Sequence, residues 1–130
     1  MDSTTHSILF VDDDKFLLDM YALKFSKNNF DVHTAQLPDE ALKILRDGFT
    51  PDVLLLDMVM PGMDGIETVR QIRNFNKTLP IIIISAHLDK MKLDDVERHG
   101  ISGVFYKGED FDKWLMLLQT VLRTHGKLKK

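Results

Sequence analysis

Apolar runs of four to six residues alternate along this chain with longer stretches in which apolar positions recur every three or four residues. The short runs read as strands and the longer stretches as helices with one apolar face. Strands are predicted at about Ser7 to Asp12, Asp31 to Ala35, Val53 to Asp57, Ile81 to Ser85 and Val104 to Lys107. The all-isoleucine run from Ile81 to Ile84 suits a strand covered on both faces.

Five helices are predicted between and after these strands. The first runs from about Asp14, as N-cap, to Asn28, with Leu17, Met20, Tyr21, Lys24 and Phe25 on one largely apolar face. Pro38 opens the second at its first position, Ala41, Leu42 and Leu45 point inward, and Gly48 closes it. The third covers about Gly65 to Phe75, with Asp64 as cap and Ile66, Val69 and Ile72 as its stripe. A weaker helix spans about Lys90 to His99, where Met91, Leu93 and Val96 make a thin stripe that predicts loose packing. The last, about Phe111 to Thr124, presents Trp114, Leu115, Leu118, Val121 and Leu122.

Strict alternation of strand and helix calls for a parallel sheet with helices on both faces, because parallel strands need long right-handed crossovers. The fold class expected is α/β, a doubly wound five-stranded sheet of order 2-1-3-4-5 with five helices. In that order the winding reverses between the first and third strands and opens a crevice at their carboxyl ends.

With 130 residues there is room for one domain, its core expected over about residues 6–125 and residues 126–130 forming a basic tail or the start of a linker. A composition of 44% hydrophobic and 28% charged residues belongs to a soluble globular chain. A formal charge of -3 gives no electrostatic basis for nucleic-acid or membrane binding. There is no cysteine, which excludes disulfides and thiolate metal sites. The opening MDSTTHS lacks a signal-peptide pattern and no apolar run nears the roughly 20 residues of a membrane span, so a cytoplasmic location is expected.

The chemistry gathers at strand ends. The first strand leads into Asp12, Asp13 and Asp14, the third ends in Asp57, the fourth in Ser85 and the fifth in Lys107. Converging carboxylates repel one another unless a cation neutralises them, and an all-oxygen set suits magnesium. An aspartate can act as nucleophile toward phosphorus, while an ammonium and a hydroxyl steady the transferring group. Each residue alone has a plainer reading: a helix cap for Asp13 or Asp14, a turn acid at Asp57, a loop hydroxyl at Ser85, a solvated charge at Lys107. All four types at strand ends, in this order, argue against coincidence.

These residues stand in stretches that resemble the receiver domain of two-component response regulators, in the manner of the chemotaxis regulators. They are VDDD at Val11 to Asp14, LLLDMVMPGMDGIE at Leu54 to Glu67, IIIISA at Ile81 to Ala86 and GVFYK at Gly103 to Lys107. The resemblance covers nearly the whole chain and implies a flavodoxin-like receiver fold. It implies that Asp57 is the phosphoacceptor, that Asp12, Asp13 and Asp57 hold Mg2+ together with the backbone carbonyl of Val59, and that Ser85 and Lys107 contact the phosphoryl group. Asp14 reads better as a cap. No organic cofactor is implied.

The function implied is a phosphorylation-dependent signalling switch, a phosphoprotein of a phosphorelay that catalyses only its own phosphorylation and dephosphorylation. A sensor histidine kinase or phosphotransfer protein would supply the phosphoryl group. A downstream effector protein, or an output domain outside these residues, would receive the signal. No contact of this domain with nucleic acid or membrane is expected, and the family pattern allows a homodimer. Two departures stand out. Val104 occupies the position three before the lysine where the family often has a switching aromatic, so a β-branched side chain is expected beside Ser85. Gly108 follows Lys107 where proline is usual, so a trans link is expected. A small-molecule phosphatase with an aspartate nucleophile would carry that residue on its first strand and need a cap domain. A flavodoxin-like nucleotide binder would need glycine in the first turn, which here reads DDDK. The methionines Met58, Met60 and Met63 read as packing or loop residues, and His87 as a loop histidine.

Overall fold

The computed structural model describes residues 5–58, 65–86, 94 and 98–126. Its elements are β1 (His6–Val11), α1 (Lys15–Ser26), β2 (Phe30–Ala35), α2 (Pro38–Arg46), β3 (Val53–Asp57), α3 (Gly65–Arg73), β4 (Ile81–Ser85), β5 (Gly103–Tyr106) and α4 (Phe111–Thr124). The strands form one parallel sheet in the order β2-β1-β3-β4-β5, as the alternation predicted. Four helices stand among the described residues, against five expected. The one expected over about Lys90 to His99 falls mostly outside them, although Asp94 and Arg98 within it are helical.

Successive side chains on a strand point to opposite faces, and this splits the apolar runs into two cores. Leu9, Val11, Leu54, Leu56, Ile81 and Ile83 belong to one core with residues of α2 and α3. Ile8, Phe10, Leu55, Ile82, Ile84 and Phe105 belong to the other with residues of α1 and α4. All five residues of β3 and all five of β4 are buried, which is why their sequences are continuous apolar runs and not alternating ones.

The expected stripe on α1 is corrected in part. Leu18, Tyr21 and Phe25 are the buried residues, Leu17 and Met20 are only half-buried, and Lys24 lies on the surface with its ammonium over the rings of Tyr21 and Phe111. Spacings of three and four residues put Leu18, Tyr21 and Phe25 on one line of the helix, and that line faces the sheet. Asp14 is the cap: its carboxylate accepts the Leu17 N–H at 3.2 Å. Pro38 begins α2 as expected, and Gly48 beyond its end takes φ +111°, a backbone region that favours glycine.

Candidate functional site

The reversal of winding between β1 and β3 brings their carboxyl ends side by side. Asp12 is the first residue past β1, fully buried, with its N–H bonded to the Ala35 carbonyl at 3.1 Å. Its Oδ1 accepts the Asp14 N–H at 2.9 Å. Its Oδ2 is buried, has no hydrogen-bond donor among the described residues, and faces the Lys107 ammonium at 3.6 Å. Asp57, the last residue of β3, is 3% exposed, and its Oδ2 lies 3.3 Å from Lys107 Nζ. Asp13 is exposed at the mouth, and one carboxylate oxygen from each of Asp12, Asp13 and Asp57 falls within 4.8 Å of the others.

Ser85 closes the group from β4. It is buried, and its carbonyl accepts the Lys107 N–H at 2.8 Å, so the hydroxyl-bearing residue and the lysine are tied through the main chain. The sequence-predicted set of Asp12, Asp13, Asp57, Ser85 and Lys107 is thus assembled at one end of the sheet. Val59, expected to offer its carbonyl, lies outside the described residues, as do Asp64, Met60, Met63 and His87. Met58 is buried against the core that holds α3, in line with its reading as a packing residue.

Three carboxylates around one ammonium leave two negative charges in a largely buried site. Burial pushes the Asp12 carboxyl above its usual range and Asp13 adds to this, while the Asp14 N–H and the Lys107 charge pull the other way. For Lys107 burial acts downward, but attraction to Asp57 and then to Asp12 outweighs it and its pKa is raised. An unsatisfied buried carboxylate oxygen, an oxygen-only donor set and two uncompensated charges fit a hard dication such as magnesium.

At the far edge, Val104 shares its face of β5 with Tyr106, and the register decides which of the two stands directly across from Ser85. The strand register pairs Ser85 with Tyr106, and Val104 with Ile83. Tyr106, 39% exposed, is therefore the cross-strand neighbour of Ser85, while Phe105 points to the opposite face and is 1% exposed. The link after Lys107 is trans, as expected, and Gly108 takes φ +91°, where proline, held near -65°, has no place.

Two residues with a bearing on the site escaped the sequence reading. Gly65, predicted only to start a helix, bonds the Met58 carbonyl through its N–H at 2.7 Å, and a β-carbon added to it would lie 2.9 Å from the Met58 α-carbon and 3.1 Å from the Asp57 carbonyl oxygen. A glycine opening a helix shortly after a strand-end acid was the available signal. Trp114 was read only as core; its indole N–H reaches the carbonyl of Tyr106, next to Lys107, and nothing in the periodicity marks that.

Residues 8–119 match the family model described as the response regulator receiver domain. Regulatory protein AtoC of Escherichia coli (strain K12) is 29% identical over 123 residues, 95% of this chain and 26% of that protein. Response regulator MprA of Mycobacterium sp. (strain KMS) is 38% identical over 79 residues, 61% of this chain and 34% of that protein. The chain thus spans roughly a quarter to a third of the curated relatives it matches. The chemotaxis response regulator CheY4 of Vibrio cholerae superposes with a TM-score of 0.84 at 28% identity, covering 92% of this chain and 100% of that one. A CheY-like receiver domain protein from Methanospirillum hungatei JF-1 superposes with a TM-score of 0.89, covering 95% of this chain and 98% of that one; at 20% identity it speaks for the fold alone. Sheet order and family match converge: this chain belongs to the response regulator receiver domain family of two-component systems.

Proposed function

We propose that the chain is a phosphorylation-controlled switch whose phosphoacceptor is Asp57. The observation that carries this reading is the buried Asp57 carboxylate within 3.3 Å of the Lys107 ammonium, beside the Asp12 Oδ2 that no hydrogen-bond donor among the described residues satisfies. A phosphoryl group carried on a histidine would approach the Asp57 carboxylate from the open side of the crevice. A carboxylate oxygen attacks phosphorus, the new O–P bond forms as the P–N bond breaks, and the imidazole leaves with the electron pair and takes a proton from solvent. Lys107 offsets charge on the phosphoryl oxygens and the Ser85 hydroxyl donates a hydrogen bond to one of them. Asp12, Asp13, Asp57 and the Val59 carbonyl would hold Mg2+, which when bound supplies charge neutralisation at those oxygens.

Such a chain is not an enzyme toward other substrates; it turns over only its own acyl phosphate. The donor is a sensor histidine kinase or phosphotransfer protein. The receiver acts on an effector protein or on an output domain of a longer regulator, and works in the cytoplasm. No helix among the described residues is long and apolar enough to cross a membrane. Intact mass after incubation with acetyl phosphate tests the reading. One phosphoryl group should add in the presence of magnesium, none with a chelator, and none to Asp57→Asn. Full labelling of Asp57→Asn would overturn the assignment.

A further inference from the structure

Lys107 has to be aimed at two buried carboxylates, yet the chain immediately after it is glycine, with Gly108 at φ +91° and no cis peptide to stiffen the strand end. The restraint comes from elsewhere. The peptide unit joining Tyr106 to Lys107 is bonded at both of its polar ends. On one side the Lys107 N–H donates to the Ser85 carbonyl at 2.8 Å. On the other the Tyr106 carbonyl accepts the Trp114 indole N–H at 3.3 Å and the Glu109 N–H at 3.2 Å, which uses both of its lone pairs.

Trp114 is itself immobilised. It is 1% exposed and stacks on Phe105, at a centroid distance of 4.6 Å, and on Tyr21, at 4.2 Å. Phe105 lies two residues before Lys107 on β5, Tyr21 comes from α1 and Trp114 from α4. The donor, carried on α4, is thus held by packing from β5 and from α1, so its N–H points at one place.

We propose that Trp114 is a positioning residue for Lys107: its indole N–H, by bonding the Tyr106 carbonyl, sets the peptide plane that carries the lysine and so aims the ammonium at Asp57 and Asp12. Trp114 touches none of the reacting atoms. Its action on phosphorylation rests on the reading of Asp57 as phosphoacceptor, whereas its action on the strand end does not.

The test uses the full chain with Trp114→Phe, which keeps an aromatic ring and removes the N–H. A second protein carries β-(3-benzothienyl)alanine at position 114, replacing only the N–H by sulfur. Backbone hydrogen exchange is measured at Lys107 and at buried amides of β1 and β3, without metal or phosphate. Labelling by acetyl phosphate is followed at saturating magnesium, and magnesium affinity separately. Both replacements should speed exchange at Lys107 about tenfold relative to β1 and β3, the worth of one hydrogen bond. Both should slow labelling by about tenfold and leave magnesium affinity unchanged, because the carboxylates keep their own supports. Exchange at Lys107 that is unchanged, or that rises only in step with β1 and β3, would overturn the proposal. A wild-type chain that takes no phosphate would refute the phosphoacceptor reading while the exchange comparison still decides the role of Trp114.

Discussion

Gly65 stands so close to Asp57 that a methyl group on its α-carbon would lie 3.1 Å from the Asp57 carbonyl oxygen and 2.9 Å from the α-carbon of Met58. The first residue of α3 is pressed onto the end of β3, and the N–H of Gly65 holds the Met58 carbonyl at 2.7 Å. Met58 and Gly65 are thereby joined by a main-chain hydrogen bond next to Asp57.

Both nearest atoms are backbone, so no rotamer change relieves a larger residue. Gly65→Ala should lower stability by about 1 to 3 kcal/mol through overpacking. It should also slow acyl phosphate formation at Asp57, since the strand end must move. Denaturant unfolding and labelling by acetyl phosphate measure the two effects, and an alanine variant with unaltered stability would mean that the helix start yields freely.

The raised Asp12 pKa carries a pH dependence of definite sign. A carboxyl whose pKa is higher folded than unfolded binds its proton more tightly in the native state, so its contribution is fully present below the unfolded value of 3.8 and is lost as pH rises through the folded value. Ionised Asp12 therefore destabilises the metal-free protein. Asp12→Asn should match the wild type near pH 3 and become the more stable of the two as pH rises toward 7 in a chelator. Magnesium should raise the melting temperature of the wild type, and raise that of the variant much less. Thermal melts across pH, with and without the ion, check both statements.

Asp13 and Asp14 are neighbours with different work. The Asp14 carboxylate bonds the Leu17 N–H, while the Asp13 carboxylate joins the cluster with Asp12 and Asp57. Asp14→Ala should cost roughly 0.5 to 2 kcal/mol of stability and leave magnesium affinity near wild type. Asp13→Ala should do the reverse. Urea unfolding and magnesium titration of the two variants separate cap from ligand.

Tyr106 lies across from Ser85 in the register of β4 and β5, partly exposed, where a β-branched neighbour was expected. If phosphorylation draws Ser85 inward, the Tyr106 ring is the first to feel the change. With 3-fluorotyrosine at both tyrosines, Tyr21 and Tyr106, a beryllofluoride and magnesium mimic should shift the Tyr106 fluorine signal and leave that of buried Tyr21 in place. A shift confined to Tyr21 would place the response on the opposite face of the sheet.

The alternation of short apolar runs with helical stretches was enough to lay out the parallel sheet and its strand order, because fully covered strands and one-sided helices leave local periods in the chain. The acids at the ends of β1 and β3, Ser85 and Lys107 were legible for a related reason: a polar residue that ends an apolar run sits where the sheet meets the crevice. Helix faces were less legible. Leu17 and Leu18 are neighbours of the same chemistry, and only the seat of α1 on the sheet makes Leu18 the buried one. Strand register was less legible still, since whether Val104 or Tyr106 faces Ser85 depends on pairing between residues about twenty apart in the chain. The press of Gly65 on Asp57 and the reach of Trp114 to the Tyr106 carbonyl belong to the same class. Local sequence sets which elements form and which ends carry charge; contacts between those elements depend on how whole faces pack, and that balance exists only once the chain has closed on itself.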